Sequence, residues 1–514
     1  MEAHNAAVST IASRVKQFHE RQEPFRIYHG HTNSTRRSSR RADNTIDTSK
    51  LTHVLSVDKA AKTALVEPNV TMKALLEATL AHGLMPYVVM ELPAITVGGG
   101  FSGTSGESSS FRYGAFDSTV ASIEMVLPDG TVTRASKTDK QDLFWGAASA
   151  FGTLGVVTLL EMQLREARSY VRLTYRLAGA AGDARAKIEA ECAKEGNDYV
   201  DGIVFSNTET VVCAGELTDE LPEGEVAHQF LRRKDPWFYL HVEKVLKQLR
   251  RSKKPEAVHI DYVHVRDYLF RYDRGGFWVA RYAYRYFFTP FNRLSRYILD
   301  PFMRAKQMYQ ALHKSGLADT YMVQDVGVPM EAHEEFQAWL DTQMAIYPLW
   351  LCPLRIRRDD PDSAHGLHAE FARADAPMLM NFGVWGPLAG RPTRREVVAQ
   401  NRALEHEVRR LRGKKWLYAH TYYTEEEFWA HYDRASYDAL RAKYGAGYLP
   451  SVYEKVRVDV EAEEAAAAGG SMAARARRGL AGVRPLPGLY GVYKLVRGGD
   501  YLLQKGEKNG VADK

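Results

Sequence analysis

The chain has 514 residues, of which 45% are apolar, 26% charged and 11% aromatic. That is globular composition at a length suited to two or three domains, and such a chain buries a core without covalent staples. A net charge of +6, from 69 basic and 63 acidic residues spread along the chain, is no nucleic-acid signature. The three cysteines, Cys192, Cys213 and Cys352, are far apart, so neither a disulfide framework nor a CxxC metal site is supported, no metal is expected, and a reducing intracellular compartment is the simplest reading.

The first 20 residues lack the charged-then-apolar order of a signal peptide. No apolar run approaches the roughly 20 residues that span a bilayer. The expectation is a soluble or peripheral protein. Residues 25–36 (FRIYHGHTNSTR) are strand-like and then break into a polar loop, Gly30, His31, Thr32, Asn33, Ser34 and Thr35. Strands are predicted over 51–57 and 63–68 around the turn Asp58-Lys59-Ala60. Helical spacing of Met72, Leu75, Leu76, Thr79 and Leu80 follows, closed by Gly83. Pro128-Asp129-Gly130 marks a hairpin between strands at 123–127 and 131–134. A short helix over 143–150 and a strand over 156–164 complete the first module.

Beyond residue 168 the texture changes, with strands predicted at 170–177 and 211–216. Residues 231–308 are dense in Arg, Lys, Tyr, Phe and Trp. Aromatic and basic side chains together suit a peripheral membrane surface; the plainer reading is a domain core with a solvated basic rim. Residues 461–478 are low-complexity and read as a frayed helix or linker, and the tail near 501–503 as an appended helix or docking arm.

The most informative segment is 96–114, TVGGGFSGTSGESSSFRYG. Five glycines, Gly98, Gly99, Gly100, Gly103 and Gly106, let backbone approach a ligand closely. Successive backbone N–H groups in such turns cradle anionic oxygens, and serine hydroxyls add donors. No Lys follows as in a P-loop, and the Rossmann fingerprint is missing. Taken alone, the segment is also compatible with a ligand-free flexible loop. A third glycine turn, Gly152, Thr153, Leu154, Gly155 and Val156, leads straight into a strand. Three glycine turns, each beside a strand, suit one extended dinucleotide lying across a sheet.

TVGG, ESSS-x-x-YG, PDG and GTLG in this order resemble the FAD domain of the vanillyl-alcohol-oxidase superfamily, and GESSSFRYG resembles its Δ24-sterol reductase branch. The likeness continues through Pro236-Trp237-Phe238, Val323-Gln324-Asp325, Tyr347-Pro348-Leu349-Trp350 and Lys415-Trp416-Leu417-Tyr418-Ala419, covering about residues 25–454. It implies an α+β fold: a two-part PCMH-type FAD-binding domain (20–167), an α+β cap with an antiparallel sheet for substrate (168–414), a segment returning to the flavin (415–460), and a linker and tail (461–514). It also implies FAD as cofactor, NADPH as reductant and a sterol substrate. The FAD would be held by the first loop (Gly30, His31, Thr32, Asn33, Ser34, Thr35), by Thr96, Val97, Gly98, Gly99, Gly100, Phe101, Ser102, Gly103, Thr104, Ser105, Gly106, Glu107 and Ser108, and by Gly152, Thr153, Leu154, Gly155 and Val156.

A trisubstituted side-chain alkene has no carbonyl to polarise it. Its reduction needs a buried acid with a raised pKa beside an apolar tunnel, and a flavin to deliver hydride. Glu107 and Tyr422 are the candidates for the acid, each with an alternative as a capping carboxylate or a packed aromatic. His31 sits in a loop that also resembles the G-H-S loop of flavin oxidases, where a histidine bonds the flavin covalently. An FAD-dependent oxidase or dehydrogenase of an alcohol or phenol is therefore the alternative reading.

Overall fold

The computed structural model describes residues 1–30, 34, 40–252, 257–315, 320–390, 392–468, 485–497 and 503–504. The strand Val156–Glu166 organises the first domain. It pairs antiparallel with Thr63–Val66 on one side and Val120–Val126 on the other, which extend to Val54–Asp58 and Val132–Ser136. Leu84–Pro86 pairs the far end of the same strand. The 128–130 turn closes the expected hairpin, with Asp129 Oδ1 accepting the Thr131 N–H at 2.8 Å. The helix Met72–Leu80 starts at Thr71, whose side chain accepts the Ala74 N–H, and it buries Met72, Leu75 and Leu76.

Three helices of this part of the chain were not expected, the shortest being Ser110–Tyr113. Glu2–Arg21 is amphipathic: His4, Val8, Ile11, Val15 and Phe18 make one buried stripe, and His4 bonds to Glu67 and Glu124. Val97–Ser102 is a short helix within the glycine segment itself, capped by the Thr96 hydroxyl.

The second sheet is antiparallel, in the order Val258–His264, Tyr170–Ala178, Glu209–Thr218, Tyr199–Ser206, Leu349–Arg355, Met378–Pro387, Tyr321–Pro329 and Lys414–Lys415. The helices Ala181–Cys192, His333–Gln343 and Arg394–Arg410 contribute to one buried core, with Val200, Val326, Phe382 and Met380 from the strands. The helices Phe238–Ser252 and Val279–Tyr286 contribute to the other. On Tyr321–Pro329 the period-two rule divides the side chains: Met322 and Val326 enter the first core, while Tyr321, Val323 and Asp325 face a cavity between the domains. The mixed helix and antiparallel-sheet content is the expected α+β class.

After Lys414–Lys415 the chain returns to the first domain. The Tyr437 hydroxyl meets that of Thr153 at 2.7 Å, Arg441 donates to the Thr153 carbonyl at 3.2 Å, and Lys455 donates to the carbonyl of Phe151. Residues 460–468 of the low-complexity segment are helical, and 469–484 lie outside the described residues. In the tail, Leu486–Arg497 is a helix against Ala305–Ser315, and Leu503–Gln504 pairs with Arg40–Arg41.

Candidate active site at the domain interface

The three glycine turns open onto one cavity of about 770 Å³. Ser34 from the first turn, Gly98, Gly99, Ser102 and Gly103 from the second, and Gly152 and Gly155 from the third all line it. Thr96, Ser105, Gly106 and Leu154 do so as well. His31, Thr32, Asn33 and Thr35 lie outside the described residues, and with them the question of a covalent histidine. Gly30 takes φ +84° at the entrance to that loop.

Two glycines are there because nothing larger fits. A Cβ on Gly98 would stand 2.7 Å from the Pro68 Cβ, and one on Gly155, at φ +136°, would stand 2.5 Å from the Val126 carbonyl oxygen. The other loop residues named from sequence point elsewhere. Val97, Phe101 and Val156 are core side chains, and Gly100 backs onto Met90 and Phe116. The Thr104 carbonyl accepts the Trp416 indole N–H at 2.9 Å, and the Thr153 hydroxyl meets Tyr437.

Glu107 and Ser108 are absent from the cavity lining. The Glu107 carboxylate accepts from the Ser108 hydroxyl at 2.9 Å and from Ser109, and burial raises its pKa. It belongs to a charged cluster between the domains. There Asp201 Oδ2 accepts from Arg271 at 2.8 Å, Tyr272 at 2.9 Å and Trp350 at 3.0 Å. Tyr422 is also away from the cavity lining, with its hydroxyl accepting from Arg394 at 3.0 Å.

Beyond the glycine turns the cavity wall becomes apolar and aromatic. Phe277, Trp350 and Trp385 form a cluster with ring centroids 4.3–5.9 Å apart, extended by Met303, Met308 and Trp416. At the junction of the polar and apolar parts stand Asp325 and Tyr418. The Tyr418 hydroxyl donates to Asp325 Oδ2 at 2.5 Å, and the Asn381 amide donates to Oδ1 at 3.1 Å. Burial pushes the Asp325 carboxyl up to about 6 against both hydrogen bonds. The Tyr418 carbonyl accepts from Ser34 at 2.6 Å, tying this junction to the first glycine turn.

Sequence reasoning missed Asp325 and Tyr418. Both lie in segments that carry the family resemblance, Val323-Gln324-Asp325 and Lys415-Trp416-Leu417-Tyr418-Ala419, and a further signal was a carboxylate within the strand YMVQDVGVP. It also missed Arg26, Lys455 and Arg457, which bring positive charge to the glycine-turn part of the lining from segments far apart in the chain. These cations, the serine hydroxyls and the close backbone suit a diphosphate, while the aromatic wall suits a flat ring system. The residues present therefore fit a flavin dinucleotide.

A family model for the FAD binding domain matches residues 6–136. The chain is 30% identical over 419 residues to the Delta(24)-sterol reductase of Homo sapiens, covering 79% of this chain and 76% of the relative. The corresponding protein of Macaca fascicularis gives the same figures. The chain belongs to the Delta(24)-sterol reductase family. The Arabidopsis thaliana member is 29% identical over 449 residues, covering 80% of this chain and 76% of that protein. Cytokinin dehydrogenase 7 of Oryza sativa subsp. japonica is 31% identical over 136 residues, 26% of each chain. FAD is the cofactor of this family member.

Proposed function

We propose that this protein reduces the Δ24 double bond of a sterol side chain, with FAD as the bound redox group and NADPH as the electron source. One observation supports the reading above others: a single cavity runs from three glycine turns to an apolar aromatic wall. A sterol needs such a wall, because its side chain and rings offer almost nothing to hydrogen-bond, and burying them out of water gives the binding energy. Bound and reduced, FAD supplies hydride. The protein orients the alkene beside it, excludes water with Phe277, Trp350 and Trp385, and must place a proton donor within reach of the alkene.

A lipid substrate also needs an entry route. Phe288, Leu294, Tyr297 and Ile298 are exposed, as are Leu489, Tyr490 and Tyr493 on the helix Leu486–Arg497. Their neighbours Tyr286, Phe287, Gly488 and Val492 line the cavity. Arg285, Arg293 and Arg497 are exposed in the same segments. Among the described residues no helix is long and apolar enough to cross a membrane. We read this face as one that rests on an anionic lipid surface, with aromatic side chains in the headgroup layer. Only the part of the basic aromatic stretch around residues 285–298 belongs to this face: Trp237, Arg271, Tyr272, Arg274 and Trp278 are buried core, and Lys253 and Lys254 lie outside the described residues.

The test is spectroscopic. Under anaerobic conditions NADPH should bleach the visible flavin absorbance, and a Δ24-sterol should restore it with formation of the saturated side chain. Rapid recovery of colour with oxygen and peroxide release, but none with sterol, would select the oxidase reading. For the lipid face, a Leu294→Asp, Ile298→Asp double variant should lose flotation with phosphatidylserine vesicles while turning over detergent-dispersed sterol. Unchanged flotation would refute the assignment of that face.

A further inference from the structure

Among the described residues, three carboxylates line the cavity: Glu91, Asp325 and Glu454. They differ in what holds them. Glu454 is exposed at the rim, and its side chain accepts the Ser451 N–H at 2.6 Å in a capping box. Glu91 is only 5% exposed and couples to Glu107 and Arg271 in the buried cluster between the domains. Asp325 faces the cavity from the middle of a strand whose alternate residues are core.

The surroundings of Asp325 place it where the two parts of the cavity meet. Tyr321 and Val323 share its face of the strand, Trp385 is on the neighbouring strand, and Tyr309 is close enough to feel its charge. Tyr418, which donates to its Oδ2, is held through its own carbonyl by Ser34 of the first glycine turn. Trp416, two residues earlier, donates to the carbonyl of Thr104 in the second. The carboxyl group is thus fixed to both cofactor loops while facing apolar wall, and among the described residues no cation is within ion-pair distance of it. A carboxyl in that setting stays protonated where an exposed one would not.

We propose that Asp325 is the acid that protonates the alkene, with Tyr418 and Asn381 positioning its carboxyl group. The assignment rests on the sterol reading above. The alkene π pair forms the new C–H bond at the less substituted carbon with the Asp325 proton, as the Asp325 O–H bond breaks. The tertiary cation left on the substrate is quenched by hydride, whose electrons come from NADPH through FAD. Asp325, now a carboxylate, regains a proton from water. One proton and one hydride are consumed for each alkene saturated, so charge and electrons balance.

The experiment follows the two half-reactions separately. Asp325→Asn keeps the volume and one of the two acceptor oxygens but cannot supply a proton. It should retain FAD and still be bleached by NADPH, while recovery of colour with a Δ24-sterol slows about 10²–10⁴-fold, the usual range for loss of a positioned acid. In the wild type that recovery should fall as pH rises through about 6, and in Asp325→Asn it should be flat. Tyr418→Phe removes a donor that favours the carboxylate, so its profile should shift to higher pH, an effect that a packing defect alone would not give. A wild type that no Δ24-sterol recolours would overturn the sterol reading and this assignment together. A wild type that recolours, matched within about threefold by Asp325→Asn, would overturn the assignment alone, well below the loss expected of an acid; so would a loss confined to Glu91→Gln.

Discussion

Removing one charge from the interface cluster should loosen both the fold and the cofactor cavity. Asp201 and Arg271 are a fully buried ion pair, with side chains 0% and 1% exposed. Asp201 Oδ2 gathers three donors, while its Oδ1 is buried without a partner. Asp201→Asn keeps this geometry, because the amide oxygen can face the three donors and the NH₂ the vacant side, so the substitution isolates the charge. Breaking a buried pair from one side costs about 3–5 kcal/mol, because the remaining ion has no counter-ion. Here Glu107, which also interacts with Arg271 in the buried cluster, can partly replace it. The expected loss is therefore at the lower end, about 3 kcal/mol, or a fall in Tm of about 6–12 °C at 2–4 °C per kcal/mol. Differential scanning calorimetry of the holoprotein measures it. Additive losses in Asp201→Asn and Glu107→Gln would refute a shared counter-ion, which requires the double variant to lose more than the sum. Trp350 is on the cavity wall and donates to Asp201, so the visible flavin bands should shift in the same variant.

Other outcomes can be checked with simpler measurements. Gly155→Ala forces a side chain against the Val126 carbonyl at a positive φ, and should cost about 2–3 kcal/mol in urea unfolding and release FAD on gel filtration. Thr96→Ala removes the cap of the helix Val97–Ser102, and should cost about 1 kcal/mol while raising the FAD dissociation constant several-fold. Asp325, with a folded pKa near 6 above an unfolded value near 4, binds its proton more tightly when folded. Its contribution is complete below about pH 4 and is lost as pH rises through 6. Asp325→Asn should therefore be more stable than the wild type at pH 8, by about 3 kcal/mol, and close to it at pH 4.

The parts of the fold that could be read from sequence were those governed by neighbouring residues. The 128–130 turn, the helix closed by Gly83 and the glycine turns each carry their instruction within a few positions. The site was legible only where it used such turns. Asp325 gave a weak signal because its role depends on Tyr418 and Asn381, 93 and 56 residues away. Arg26, Lys455 and Arg457 are ordinary surface cations by spacing, and only tertiary structure brings them to one cavity. Glu107 was conspicuous within a motif, yet its partners are the adjacent hydroxyls of Ser108 and Ser109. The N-terminal helix carries a 4-8-11-15-18 stripe that is local in sequence and therefore legible there.

The return of residues 437–455 to the third glycine turn bears on how the holoprotein is made. Phe151 and Thr153 are held by Lys455, Tyr437 and Arg441, roughly three hundred positions later. A ribosome will therefore have released the whole nucleotide sheet long before its last wall exists, and contacts of such separation form late. Cofactor loading then belongs to the finished polypeptide, and cells short of riboflavin should accumulate an open, protease-sensitive apoprotein rather than a stalled nascent chain.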